Sequence, residues 1–323
     1  MFSLLARKPW YLLVLPLAVL LAVLGYRSGG LLLAQGDAGA AGAELADALG
    51  KRTPSLVVAP AAAQAPLEQG AGNAVAPGFP VDLRAAFESG QDLFRYSRQL
   101  QAAAEAGDAE AGWVVSRIYD YCGVYAMDPA GYALDSNTLA RMGLSDVPGL
   151  TAAREQVSAG CAGFTAADAL GRGKVLQQRR MAASSGNLAA EAALLSMGEP
   201  LKDDPAYRRE LVERVLHSQD PEAFLAVSPA MGVAAAGDEA YTGLVAGDQF
   251  AQLAWQVAAC QLGMACGPNS KLMISYCANG GICSRVPGQD FETFVFDAAV
   301  PQQGVKKMNQ LVSSLRAPQG GKP

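Results

Sequence analysis

Six cysteines are the most reactive side chains of this 323-residue chain, and their spacing suits either disulfide pairing or metal ligation. Cys260 and Cys266, and again Cys277 and Cys283, frame the form C-x-x-G-x-x-C. In each copy the first cysteine is expected in a helix's last turn, with the glycine reversing the chain and returning the second cysteine beside it. Local bridges Cys260 to Cys266 and Cys277 to Cys283 follow. Four cysteines permit three pairings, however, and a cross-linked hairpin through Cys260 and Cys277 stays open. By elimination Cys122 joins Cys161. A zinc centre at Cys260, Cys266, Cys277 and Cys283 is the alternative, but structural zinc prefers gaps of about two to four residues within a ligand pair. The gaps here hold five.

Little else in the chain has the makings of a catalytic set. His217 is the only histidine, so a histidine metal cluster is excluded and any Ser-His-Asp arrangement depends on this one residue. It falls near an expected helix end, where an imidazole suits the negative end of the dipole. The acidic neighbours Asp203 and Asp204, and Asp108 with Glu110, read as helix-start residues and not as an acid and a base. Arg95-Tyr96-Ser97-Arg98, Arg179-Arg180 and Arg208-Arg209 would line a groove for an acidic partner only if their helices stack side by side. As solvated faces they need no partner. Tyr119, Tyr121 and Tyr125 surround Cys122 and are expected to pack around its disulfide. Gly171-Arg172-Gly173-Lys174 and Gly280-Gly281 lack the strand-loop-helix setting of a phosphate loop. No cofactor is expected.

The elements that carry these residues are expected to be helices. Apolar residues make up 51% of the chain, many of them alanine, with few aromatic and β-branched runs, which favours an all-α fold. A net charge of -5, from 25 Lys+Arg against 30 Asp+Glu, gives no broad cationic surface and argues against a nucleic-acid partner.

Arg7 and Lys8 precede an uncharged run from Trp10 to Tyr26, at the short end of what spans a hydrocarbon core. Positive residues before the run keep 1–9 cytosolic and send everything after Arg27 outward, so 10–26 is expected to be an inner-membrane anchor with the domain in the periplasm. A cleaved signal peptide is the competing reading, but no small-residue triplet lies close behind the run. Residues 27–80 are Ala, Gly and Pro with too few large apolar side chains to offset ordering, and read as a flexible linker. As a coil it reaches on the order of 35 to 40 Å. The exported domain is expected over 81–312 and a disordered tail over 313–323. Cysteines confined to the exported part lie where oxidation pairs them.

From Asp82 onward Leu83, Phe87, Leu93, Phe94 and Leu100 recur with helical spacing. Asp204 followed by Pro205 starts a helix whose apolar face is Tyr207, Leu211, Val215 and Leu216. Asp220-Pro221 starts another almost at once, so those two helices abut. Between Ala103 and Ala111, Gly107 suits the left-handed end of one helix and Asp108 the cap of the next, a helix-turn-helix corner. The same form, Gly then Asp or Asn then two residues then Ala, returns at Gly186-Asn187 and Gly247-Asp248, with a copy at Gln219-Asp220 that lacks the glycine. The intervals are uneven, and the stretch between the first two corners must hold extra elements.

At these residues the chain resembles Sel1-like repeats, short relatives of tetratricopeptide helical hairpins. The best copy is 103–128, with Trp113, Ile118 and Tyr119 at apolar helix positions and Gly123-Val124 followed by Asp128 at the close. A second, from Arg180 through Leu194-Leu195, keeps the alanines and the cap without the Gly-Val closure. The resemblance implies a protein-interaction scaffold; an irregular α-bundle is the alternative fold.

Three functions compete. The anchor, the corners and the missing catalytic set point to an envelope interaction or scaffold module with a protein partner. Lipase-specific foldases are similar in outline, with an anchor, an Ala/Pro-rich linker and an all-helical domain, which implies a membrane-anchored steric chaperone. Their Arg-x-x-Phe-Asp-Tyr motif is not matched, because Arg117-Ile118-Tyr119-Asp120-Tyr121 sets Asp-Tyr too close to the arginine. An envelope hydrolase would need acidic groups brought together in a pocket by folding.

Overall fold

The computed structural model describes residues 82–90, 92–143 and 147–317, and within them every regular element is a helix. The expected anchor at 10–26 and the whole linker at 27–80 lie outside the described residues. No described helix is long and apolar enough to cross a membrane. Among the described residues thirteen α-helices follow one another: α1 (Leu83–Glu88), α2 (Leu93–Glu105), α3 (Ala109–Met127), α4 (Pro129–Arg141), α5 (Val147–Cys161), α6 (Arg172–Ser184), α7 (Leu188–Ser196), α8 (Pro205–Ser218), α9 (Pro221–Val227), α10 (Gln249–Gln261), α11 (Lys271–Ala278), α12 (Phe291–Ala299) and α13 (Val305–Arg316).

Most of these helices begin at a side-chain cap. Asp82, Asp92, Asp108, Asp128, Asn187, Asp204, Asp220, Asp248, Ser270 and Asp290 each accept from a backbone N–H in the first turn that follows. These N–H groups have no intrahelical acceptor, so each cap typically contributes about 1 kcal/mol. Pro129, Pro205 and Pro221 stand at the first helical position, where a missing N–H has no cost.

The recurring corners share one backbone form. Gly107 (φ 94°) and Gly186 (φ 99°) take the left-handed region, and the next N–H returns to the helix just ended, Asp108 to Ala103 O at 2.9 Å and Asn187 to Ala182 O at 3.0 Å. Gln219 holds the left-handed place at φ 50°, so α8 and α9 abut as their start signals predict. The copy at Gly247 differs. Its φ is 100° and Asp248 caps α10, but short 3-10 turns at Ser228–Met231, Val233–Ala235 and Glu239–Tyr241 precede it where a helix would complete a corner. The Gly247 N–H bonds instead to Met231 O at 3.0 Å.

Hairpins α2–α3, α6–α7 and α8–α9 pack in succession: α3 lies on α6, α7 on α9, α9 on α10, and α10 on α13. Alanine and glycine permit the close approaches. A Cβ placed on Gly112 of α3 would come within 3.2 Å of the Ala182 Cβ on α6. The stretch between the first two corners contains the extra helices α4 and α5, and α5 packs on α11. The core holds Trp255, Phe87, Phe224, Phe291, Leu93, Leu100 and Ile118, all fully buried. Trp255 and Phe224 meet at 4.9 Å between ring centroids, and the Trp255 indole N–H donates to Val245 O at 2.8 Å.

α13 runs to Arg316, past the boundary at 312, because Val312 and Leu315 are buried and continue its apolar face. Residues 313–316 therefore belong to the folded domain and not to a tail.

Candidate functional site

Helix α3 is apolar through most of its length, yet it places Trp113, Arg117, Asp120 and Tyr121 on one face at i, i+4, i+7 and i+8. That face walls a cavity of about 390 Å³. Helix α1 contributes Phe87, α6 contributes Arg179, α9 contributes Glu222 and Leu225, and α11 contributes Lys271, Leu272 and Ser275. Among the lining residues Asp120, Pro229 and Asn279 are exposed and form the rim.

Charges pair across helices inside it. Arg117 donates to Glu222 Oε1 at 2.5 Å and lies 3.4 Å from Glu88 Oε1, while its guanidinium sits over the Phe87 ring at 4.5 Å. Arg179 donates to Asp120 Oδ2 at 2.7 Å and stands 5.8 Å from the Trp113 ring centroid. The third cation is different. Lys271 is only 5% exposed, its ammonium stands 5.1 Å from the Tyr121 ring centroid, and no described carboxylate pairs with it.

Burial pushes the Lys271 ammonium below its ordinary range, against the opposing pull of Glu88. Burial likewise raises the Glu222 carboxyl, with Arg117 and Arg84 opposing, and raises the Tyr121 phenol. Trp113, Tyr121, Arg179 and Glu222, which line the cavity, each also keep one polar atom (Nε1, Oη, Nε and Oε2) buried from solvent and without a hydrogen-bond partner among the described residues. A buried polar atom left unpaired costs about 1 to 3 kcal/mol.

A second polar cluster lies outside the cavity lining. Arg84 of α1 contacts Glu110 Oε1 and Asp220 Oδ1, each at 2.6 Å, and Glu110 accepts from the Asn187 side chain at 3.0 Å. The starts of α3 and α9 thus meet at Arg84, and that of α7 joins them through Glu110. Burial alone would lower the Arg84 guanidinium, but the bonds to Glu110 and Asp220 outweigh it and hold the side chain well above its ordinary range. Saturated in this way, the cluster is structural.

The cysteines lie outside the cavity lining and are paired. Cys122 is bonded to Cys161, Cys260 to Cys266 and Cys277 to Cys283, with Cα–Cα separations of 5.6, 5.6 and 4.3 Å. No free cysteine remains among the described residues, so the zinc alternative has no thiolate to use. Cys260 sits in the last turn of α10 with Gly263 at φ 109° behind it, as the spacing predicts. After Cys277 the left-handed residue is Gly281 (φ 68°) and not Gly280, where a Cβ would strike Tyr276 O at 2.7 Å. Both glycines are needed for that reversal.

His217 is exposed in the last turn of α8, its Nδ1 2.6 Å from Glu213 O. Asp204 and Asp108 act as caps, and Asp203 pairs with Arg208 at 3.1 Å. The arginine pairs do not share a groove. Arg98 faces Asp168, Arg180 faces Glu199 and Arg209 faces Glu213, so that Arg179 alone reaches the cavity. Tyr121 is in its wall, whereas Tyr119 donates to Gln101 at 3.1 Å and Tyr125 packs on Tyr132.

Trp113, Arg117, Glu222 and Lys271 are site residues that sequence patterns leave unmarked. The available signal is Arg117, a single cation inside the apolar run of α3. Among the described residues no group of histidine, cysteine, aspartate and glutamate could hold a metal. Fold and site define, over the described residues, an all-α, disulfide-bonded helical domain with a charged, open cavity among its packed helices. Comparison with family models, with curated proteins and with solved structures finds no match.

Proposed function

We propose that this chain is a membrane-tethered protein of the cell envelope whose helical domain is an interaction module for a protein partner in the periplasm. One observation carries the reading: an open cavity among the packed helices that sets Arg117, Arg179 and Lys271 beside apolar side chains, with Lys271 in no ion pair with a described carboxylate. Binding suits the site better than catalysis, because its carboxylates face arginines and not one another. The periplasmic placement is supported by the charge pattern around 10–26 and by three disulfides, which persist in an oxidising compartment. The helical corners of α2–α3 and α6–α7 support a Sel1-like repeat origin for the scaffold.

Crosslinking in intact cells, followed by isolation from the envelope and intact-mass analysis with and without reduction, tests this. The expected result is a reproducible exported partner, an uncleaved N-terminus and three disulfides. A protein that comes out alone, or that is recovered from the cytosol with free thiols, overturns it.

A further inference from the structure

We propose that the cavity between α3, α9 and α11 binds a small organic monocarboxylate, its carboxylate set against the Lys271 ammonium and its apolar body against Phe87, Leu225 and Leu272. The assignment goes beyond the interaction-module reading and does not depend on it. Lys271 lines the cavity at 5% exposure, and its ammonium makes neither a hydrogen bond nor an ion pair with a described residue. The Tyr121 ring, 5.1 Å away at its centroid, offers that ammonium a π face and no counter-charge. The ammonium is nevertheless not among the polar atoms sealed from solvent, unlike Trp113 Nε1 and Tyr121 Oη in the same wall, so a molecule in the cavity can reach it.

One face of α11 gives the cavity its depth. Lys271, Ser275 and Asn279 follow one another at i, i+4 and i+8 and pass from buried through half-buried to exposed, so the ammonium belongs to the inner end and Asn279 to the rim. The helix rises about 12 Å between them. Apolar surface begins beside the ammonium, where the Tyr121 and Phe87 rings meet edge-on at 6.1 Å between centroids. Charge then sets the ligand. Arg117 is held by Glu222 and Glu88, and Arg179 by Asp120, so that of the three lining cations only Lys271 lacks a carboxylate and the site takes one negative charge. A dianion would bring its second charge against those carboxylates, and an uncharged apolar molecule would leave the ammonium buried without a counter-ion. Burial already pushes the ammonium below its ordinary range, and a carboxylate beside it offsets that cost. The volume of about 390 Å³ lies at the small end of ligand pockets, about 300 to 1,000 Å³, and limits the apolar body to a short chain or one ring.

The test uses full-length protein in lipid nanodiscs, with the signal of empty nanodiscs subtracted, and calorimetric titration with hexanoate, octanoate and phenylacetate. The amide of the best binder, acetate and adipate are the comparators: the first lacks the charge, the second lacks the apolar body, and the third carries a charge at each end. Saturable binding of at least one of the three monocarboxylates is expected, with each comparator weaker by roughly ten-fold or more. Lys271→Met removes a buried charge that no carboxylate pairs, so it is expected to stay folded by circular dichroism and yet bind the best acid more weakly by roughly ten-fold or more.

No saturable binding of any of the three acids at millimolar concentration, equal binding of acid and amide, or unchanged affinity in folded Lys271→Met overturns the assignment. So does acetate or adipate binding as tightly as the best monocarboxylate, which would make the site one for a small anion or a diacid. If Lys271→Met does not fold, the comparison of acid with amide on the natural chain decides. An envelope partner recovered by crosslinking while no acid binds keeps the module and removes the carboxylate site. Acid binding by a protein that comes out without a partner keeps the site and removes the module.

Discussion

Glu88 Oε2 accepts the backbone N–H of Lys271 at 2.9 Å, while its other oxygen faces the Arg117 guanidinium at 3.4 Å. One carboxylate at the end of α1 therefore fixes the start of α11 and the orientation of the cavity's central arginine.

Replacing it separates those two tasks. Glu88→Ala leaves the α11 N–H without its acceptor and leaves Arg117 with Glu222 alone, which is expected to lower stability by about 2 to 3 kcal/mol in urea unfolding. Glu88→Gln keeps an acceptor oxygen and is expected to lose roughly half as much. Equal losses would show that charge, and not the helix start, is what Glu88 supplies.

Lys271 makes stability depend on pH in a stated direction. Burial holds its folded pKa below the ordinary 10.5. Between the folded value and 10.5 the unfolded chain binds a proton that the folded chain has released, so this group's contribution to stability rises with pH across that window. Below the window both states are charged and the penalty is constant. Lys271→Met is therefore expected to be more stable than the natural chain at pH 7, with the gap narrowing towards pH 10. Denaturant titrations of the two proteins at several pH values measure it; a gap that widens with pH contradicts the assignment.

Arg84 binds two carboxylates that belong to different corners. Arg84→Ala leaves Glu110 and Asp220 without their cation, and a loss of about 1 to 3 kcal/mol is expected, the charge-assisted bonds being only partly buried. Hydrogen exchange is expected to quicken together in the first turns of α3, α7 and α9. Exchange confined to α1 would show that the three helix starts do not depend on this arginine.

The three disulfides differ in the chain they close. Cys122 and Cys161 are 39 residues apart, whereas the other two pairs are separated by 6. Loop-closure entropy alone then assigns about 4 kcal/mol to the long bridge and about 2 to each short one. A Cys122→Ser and Cys161→Ser double variant is expected to melt well below one lacking Cys260 and Cys266. The reverse order would place the stabilisation in local helix ends.

How far residues can be read in sequence depends on how far their effects travel. Asp108, Asp204 and Asp220 are legible as caps because each bonds an N–H two or three residues away. Cys260–Cys266 and Cys277–Cys283 are legible because a glycine turn returns each second cysteine to its partner. The Gly247 copy is misleading for the same reason: its φ and cap are local, but the helix that would complete a corner is replaced by turns docked through Met231.

The sequence by itself determined that the domain is helical, where several of its helices begin, and that two cysteine pairs are spaced to close locally, since propensity, capping and short-loop closure act within a few residues. Only the tertiary structure decided that Arg117 would meet Glu222 105 residues on, and that Lys271 would lie buried against Tyr121 with no counter-ion among the described residues. Those relations depend on how the helices pack, and one cation in an apolar helix face carries no mark of which partner will reach it.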